Sequence, residues 1–337
     1  MNFDFSDDQR QIKSTAHDLL AARATPEKVR AAAEGAGYDE ALWEELRGLG
    51  WPGIAIAEEH GGQGLGTVEL AILLEELGYV VVGSPLLSTA SAALLIEGAG
   101  TPAQRASWLP RLASGEARGA LGSVRDGVAE LVPDADAADV IVLVEDGAAR
   151  LLERADADVQ ELDTIDPTRA YARVSGDGES LPGDPAPGLD RATVIVAAEL
   201  TGICQRALDM TLAYVKERKQ FDTPVGAFQA VAHRCAEMLL YTESARSATY
   251  FAAWAADADA ERLPEAAALA KAAASDGGRE VTASAIQAHG GIGFTWEADV
   301  HWLYKRAQMD AVLYGGARQH RARLAEIVAA RLAPAPA

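Results

Sequence analysis

The segment from Ala285 to Gln319, AIQAHGGIGFTWEADVHWLYKRAQMDAVLYGGARQ, sets Gln287, His289, Gly290, Gly291, Gly293 and Trp296 within a few helical turns. Glycine in helix-rich sequence costs about 1 kcal/mol against alanine, so such a run predicts the close approach of a ligand or a second backbone. A second group lies in Lys216 to Gln229, KERKQFDTPVGAFQ. There Arg218 offers a fork for a pyrophosphate, Phe221 a ring for a flat heterocycle, and Gln229 a side-chain amide at the next helix start. A plain helix hairpin reads equally well from these residues. What favours a cofactor is that Gln287, Gly290 and Gly291 follow in the same chain.

Other chemistries lack their residues. The chain has no GxxxxGKS/T, HExxH or GxSxG, and no GxGxxG after a strand. The run Gly61-Gly62-Gln63-Gly64-Leu65-Gly66 has the wrong spacing for a dinucleotide loop, and reads either as a tight connection or as a ligand-facing loop. His233, His289 and His320 are scattered singly, which predicts hydrogen-bonded core residues and no metal site. Cys204 and Cys235 fall inside helical patterns without a CxxC partner and read as small buried hydrophobes. With 30 Lys+Arg against 50 Asp+Glu, the formal charge of -20 argues against nucleic acid and anionic membrane partners. The acidic N-terminus has no apolar leader and no apolar run reaches ~18 residues, so a cytoplasmic protein is expected.

The elements that must position these groups are mostly helical. Ser6-Asp7-Asp8-Gln9 forms a capping box, Asp39 starts a helix that stops at Gly50, Thr67 caps another that runs to Gly78, and Thr101-Pro102 opens a further one. Residues 1–118 are thus expected as an N-terminal helical domain. Short apolar stretches follow at Gly119 to Ser123, Val128 to Val132, Val140 to Val144, Val159 to Leu162 and Ala170 to Val174, with Asp126-Gly127 and Asp146-Gly147 as hairpin turns. They predict a small β domain over 119–175. Residues 176–188, rich in Pro and Gly, read as a linker with too little apolar surface to pack. Long helical patterns from Asp190 to Arg218, Phe228 to about Ala258, Pro264 to His289 and Ala317 to Leu332 predict a four-helix bundle over 189–333, with the terminal APAPA frayed. The fold class is mostly α with a small middle β domain.

LWEELRGLGWPGIAIAEEHGGQGLG, LAILLEELG, YVKERKQFDTPVGAFQAVAHRCAEM and AIQAHGGIGFTWE together resemble the acyl-CoA dehydrogenase family over nearly the whole chain. The resemblance implies the same three-part fold, assembled as dimers or dimers of dimers, and FAD as cofactor. It assigns Arg218, Phe221 and Gln229 to the FAD pyrophosphate and adenosine, with Gln287, Gly290 and Gly291 closing on the same cofactor from the neighbouring subunit. Asp190 matches a position facing the acyl-CoA. The implied reaction removes an α-proton of an acyl-CoA thioester by a carboxylate while hydride passes from Cβ to the flavin. A proton so weakly acidic demands a desolvated carboxylate and hydrogen bonds to the enolate oxygen.

The chain departs from the family at that carboxylate. The usual Tyr-Glu-Gly reads Tyr314-Gly315-Gly316, and the alternative position early in the first bundle helix is Ala192. Glu199 lies about 10 Å further along that helix, and Asp310, if helical, sits about 140° around the axis from Gly315. The Gly315 N–H is left as a donor for the thioester oxygen. The β domain lacks the family's Thr-Glu-Pro and Gly-Ser-Asp stretch and its Trp-containing strand, with only ALGSVRDGVAELVPDADAADV in their place. These features point to the base-less partner of a heteromeric dehydrogenase, resembling the paired subunits that actinobacteria use on steroid side-chain CoA thioesters. The rivals are a self-sufficient dehydrogenase, as a homo-oligomer with Glu199 or Asp310 as an unusual base, and a non-redox binding or scaffold protein.

Overall fold

A computed structural model describes residues 4–35 and 38–332; the terminal APAPA lies outside them. The N-terminal part holds α1 (Asp7–Arg23), α2 (Pro26–Ala33), α3 (Glu40–Gly48), α4 (Thr67–Val80), α5 (Leu86–Ala99) and α6 (Pro102–Ala113). The expected capping box forms, and Thr101 with Gln104 makes a second: Gln9 N–H donates to Ser6 Oγ, Gln104 N–H donates to Thr101 Oγ1, and each glutamine returns its amide oxygen to the cap N–H. Asp39 caps α3. Thr67, however, is the first helical residue and not the cap. The free N–H groups of Thr67 and Val68 are taken by the Asp257 carboxylate, which reaches across from the bundle at 2.8 and 3.1 Å. Nor does Gly78 end α4. It lies where α4 crosses the first bundle helix, and a Cβ there would stand 2.1 Å from the Glu199 carbonyl oxygen.

The β region contains β1 (Gly119–Ser123), β2 (Ala129–Pro133), β3 (Val140–Glu145), β4 (Ala148–Glu153), β5 (Asp158–Leu162), β6 (Tyr171–Ser175) and β7 (Glu179–Leu181). Two sheets form, ordered β1-β3-β4-β7 and β2-β6-β5, with β1 and β3 parallel. Asp146-Gly147 makes the expected hairpin between β3 and β4, both residues having positive φ. Asp126-Gly127 turns the same way, but pairs only Arg125 with Val128 before β1 and β2 part into different sheets. Residues 176–188 are not the unpacked linker expected. β7 pairs with β4, Leu181 is buried, and α7 already starts at Ala186.

The bundle comprises α7 (Ala186–Glu217), a hairpin of β8 (Lys219–Gln220) and β9 (Thr223–Pro224), α8 (Gln229–Ala258), α9 (Leu263–His289), α10 (Val300–Asp310) and α11 (Ala317–Leu332). α7, α8, α9 and α11 are the four helices expected, and α10 is an addition. Alanine-rich faces such as Ala266, Ala267, Ala270 and Ala274 on α9 are buried, as close helix packing requires.

Candidate functional site

Two regions carry the chemistry. The first is the hairpin end of the bundle. Arg218 leaves α7 as its C-cap, and the β8–β9 hairpin turns through Phe221 and Asp222 at φ 52° and 60°. That turn holds the Phe221 ring 90 % exposed. Gln229 opens α8, also exposed. Gln287, Gly290 and Gly291 lie exposed at the end of α9, and two contacts bring them to the same end of the same chain as Arg218. The Tyr214 ring stacks on His289 at 4.4 Å, and Arg234 donates to Ser284 Oγ at 3.2 Å. The two blocks thus lie at the same end of this chain. His289 itself is a core residue: its Nδ1 is 2.7 Å from the Ala285 carbonyl, and burial lowers its pKa.

Among the described residues, none occupies this surface. Among the described residues, the side chains of Arg218, Gln229 and Gln287 have no hydrogen-bond or ion-pair partner. A Cβ at Gly291 would meet nothing within 4 Å, so packing inside the chain does not require glycine there, whereas the φ of 65° at Gly290 favours glycine although the space is open. The free guanidinium, two free amides and an uncrowded backbone fit the polyphosphate end of a dinucleotide. Beside it stand Phe294 and Trp296, 77 % and 67 % exposed. They edge an apolar hollow of about 460 Å³ whose Lys305 ammonium lies over the Trp296 and Trp302 rings.

The second region is a cleft of about 240 Å³ between the β domain and the Tyr314–Gly316 turn, lined by Ser123, Val124, Leu131, Leu313, Tyr314 and Gly315 among others. The turn has left-handed backbone at Tyr314 (φ 54°) and φ 106° at Gly315. The Gly315 N–H, expected as a free donor, is bonded to the Val312 carbonyl at 3.1 Å. The Tyr314 carbonyl lies 3.1 Å from His320 Nε2, and the Gly316 N–H donates to Gln319 Oε1 at 2.8 Å. Burial holds His320 down to about 4, with the Lys271 charge adding to the effect. It is therefore neutral near pH 7.

No carboxylate of the turn faces this cleft. Ala192 is fully buried. Asp190 is buried and gripped by both terminal nitrogens of Arg323, the longer contact being 2.8 Å. The one lining carboxylate, Glu130, escaped the sequence reading, and it is ion-paired with Arg173 at 2.9 Å.

Glu199 and Asp310 sit elsewhere, in a buried charge cluster joining the β5–β6 connection to α7 and α10. Arg169 contacts Glu199 at 2.6 Å and Asp310 at 3.1 Å, while Arg306 contacts Glu199 at 3.0 Å and Asp166 at 2.5 Å. Burial works to raise the Glu199 carboxyl, but the two guanidiniums outweigh it and hold the group below the ordinary carboxylate range. Burial, and then the Glu199 charge, drive Asp310 well above that range. The same cluster thus drives the two carboxyls in opposite directions. α10 also ends at Asp310, so the helical angle between Asp310 and Gly315 does not apply.

Comparison with known proteins agrees with this architecture. Residues 6–116 match the acyl-CoA dehydrogenase N-terminal domain and residues 187–331 the acyl-CoA dehydrogenase C-terminal domain. The chain is 39% identical over 321 residues to the acyl-CoA dehydrogenase IpdE2 of Mycobacterium tuberculosis, covering 94% of this chain and 96% of that one. A variant of the Tcur3481-Tcur3483 steroid ACAD superposes with a TM-score of 0.88 at 29% identity, covering 97% of this chain and 99% of the other. The ChsE4-ChsE5 complex from Mycobacterium tuberculosis shares the fold, with a TM-score of 0.88 at 24% identity over 99% of this chain and 100% of the other.

Proposed function

Because this chain belongs to the acyl-CoA dehydrogenase family, we propose that it is the base-less partner subunit of a heteromeric, FAD-dependent dehydrogenase acting on an acyl-CoA thioester. One observation carries the reading. The groups suited to a dinucleotide stand free at the hairpin end, while the cleft holds Gly315 at φ 106° and a sealed Ala192 where a carboxylate would be needed. Arg218 would neutralise the pyrophosphate, Phe221 would lie against the adenosine, and Gln229 and Gln287 would donate from their amides. Gly290 and Gly291 would allow backbone approach. FAD, when bound, supplies the hydride acceptor. The proton would leave to a carboxylate of the other chain, and this chain's share is to hold and orient. Asp190 is proposed to meet the acyl-CoA only by exchanging Arg323 for it.

The exposed rings Phe221, Phe294 and Trp296 favour a covering chain at the hairpin end. A related steroid ACAD whose name joins two designations, at 29% identity, supports a heteromer and a steroid thioester as substrate. Among the described residues no helix is long and apolar enough to cross a membrane, which accords with a cytoplasmic assembly. The burial of Glu199 and Asp310 between arginines weighs against a self-sufficient enzyme using either as base. Purification of the chain alone and together with a homologous chain that carries the carboxylate tests the proposal. Turnover is expected only in the joint assembly, and a fully flavinylated, active homo-oligomer would overturn it.

A further inference from the structure

Lys271 lies in the middle of α9 and is wholly buried. Its ammonium bonds mainly to backbone: Nζ donates to the carbonyls of Asp310 at 2.9 Å, Ala311 at 3.2 Å and Gly315 at 3.0 Å, and lies 3.1 Å from Ser275 Oγ. An ammonium has three donors, so three carbonyls saturate it. Burying a cation costs several kcal/mol unless such bonds repay it, and a site that only needed filling would take a leucine or methionine. Burial also lowers the ammonium to about 7, which marks how strongly the interior resists it.

The three carbonyls belong to one structural unit. Asp310 and Ala311 close α10, where the last carbonyls of a helix lack partners of their own, and Gly315 lies in the turn beyond. Together with His320 on the Tyr314 carbonyl and Gln319 on the Gly316 N–H, Lys271 completes a grip on three successive residues. Two of them have positive φ, 54° at Tyr314 and 106° at Gly315, and the first is backbone that a tyrosine rarely takes.

We propose that Lys271 is the positioning residue of the cleft, anchoring Asp310, Ala311 and Gly315 so that the Tyr314–Gly316 turn keeps its acyl-facing shape without a carboxylate. The functional consequence rests on the reading that this cleft takes an acyl-CoA thioester, whereas the structural consequence does not.

The experiment uses the co-purified assembly carrying wild-type, Lys271→Met or Lys271→Arg chains, with amide hydrogen exchange and binding of palmitoyl-CoA as readouts. In Lys271→Met, exchange in the segment 311–320 rises about tenfold while the segment 285–294 is unchanged, and the acyl-CoA is bound about tenfold more weakly. Lys271→Arg, which keeps donors and charge, falls between the two. A folded Lys271→Met with exchange in 311–320 equal to wild type overturns the proposal. If Lys271→Met does not fold, the arginine variant decides, and wild-type exchange in its 311–320 segment overturns the proposal equally. Failure of the wild-type assembly to bind any acyl-CoA would instead remove the functional reading, leaving the exchange result to judge Lys271.

Discussion

At the hairpin end, Arg218, Gln229 and Gln287 are exposed and have no partner among the described residues. In the cleft, the carbonyls of Tyr314 and Gly315 and the N–H groups of Gly315 and Gly316 are each engaged by this chain's own atoms. An exposed polar group with no internal partner, set among exposed rings, is available to a partner from outside. A polar group fully engaged within the fold serves the fold. The contrast separates a surface kept for binding from a loop kept for shape, and four substitutions press on it.

The largest effect belongs to the charge cluster behind the cleft. Arg169→Met leaves Glu199 and Asp310 without their shared guanidinium, and breaking a buried pair of this kind costs about 3–5 kcal/mol. Denaturant unfolding is expected to show that loss; unchanged stability would mean the cluster is not the bolt between the β domain and the bundle. Next, Arg218→Ala removes a charge-assisted contact worth about 1.5–3 kcal/mol. Flavin affinity of the assembly, measured by fluorescence of released FAD, is expected to fall roughly ten- to a hundredfold with the melting temperature of the apo chain unmoved.

A smaller effect is confined by pH. The unfolded His320 takes its proton near 6.5, whereas in the fold it resists protonation down to about 4. The unfolded chain therefore binds the proton first. The stabilisation is whole above 6.5 and is lost as pH falls through about 4. His289 and His301, both lowered by burial, act with the same sign. His320→Gln should shallow the fall of melting temperature across that window, and an unaltered slope would contradict the burial of this ring. The smallest effect is that of Gly315→Ala. Its Cβ would stand 3.0 Å from His320 Nε2, at a φ that side chains rarely adopt, and a loss of roughly 1–2 kcal/mol is expected by thermal unfolding. A neutral result would show that the turn relaxes freely and that a glutamate could be housed there.

Local signals were legible and non-local ones were not. Ser6 with Gln9, Thr101-Pro102 and Asp146-Gly147 act within a few residues, and each appears as expected. α5 was missed because it is buried nearly all round, leaving no stripe for periodicity to find. β4 buries its adjacent Leu151 and Leu152 on opposite faces, each in a different core cluster, which hides its alternation. The proposed cofactor residues Arg218, Gln229 and Gln287 stand out by type, and the fold adds that they are exposed without a partner among the described residues. The cluster of Asp166, Arg169, Glu199, Arg306 and Asp310 draws on distant parts of the chain, so no spacing rule reaches it. Its one local trace is Glu199 inside the apolar run VIVAAELTGIC, a charge placed where only a buried partner would allow it.

The central claim is that this chain lends a binding surface and no base. The most direct measurement reconstitutes the isolated chain with FAD and follows the visible flavin absorbance after adding acyl-CoA under anaerobic conditions. The account predicts bound flavin that stays oxidised in the isolated chain and bleaches once the carboxylate-bearing partner is added. Rapid bleaching in the isolated chain would contradict it.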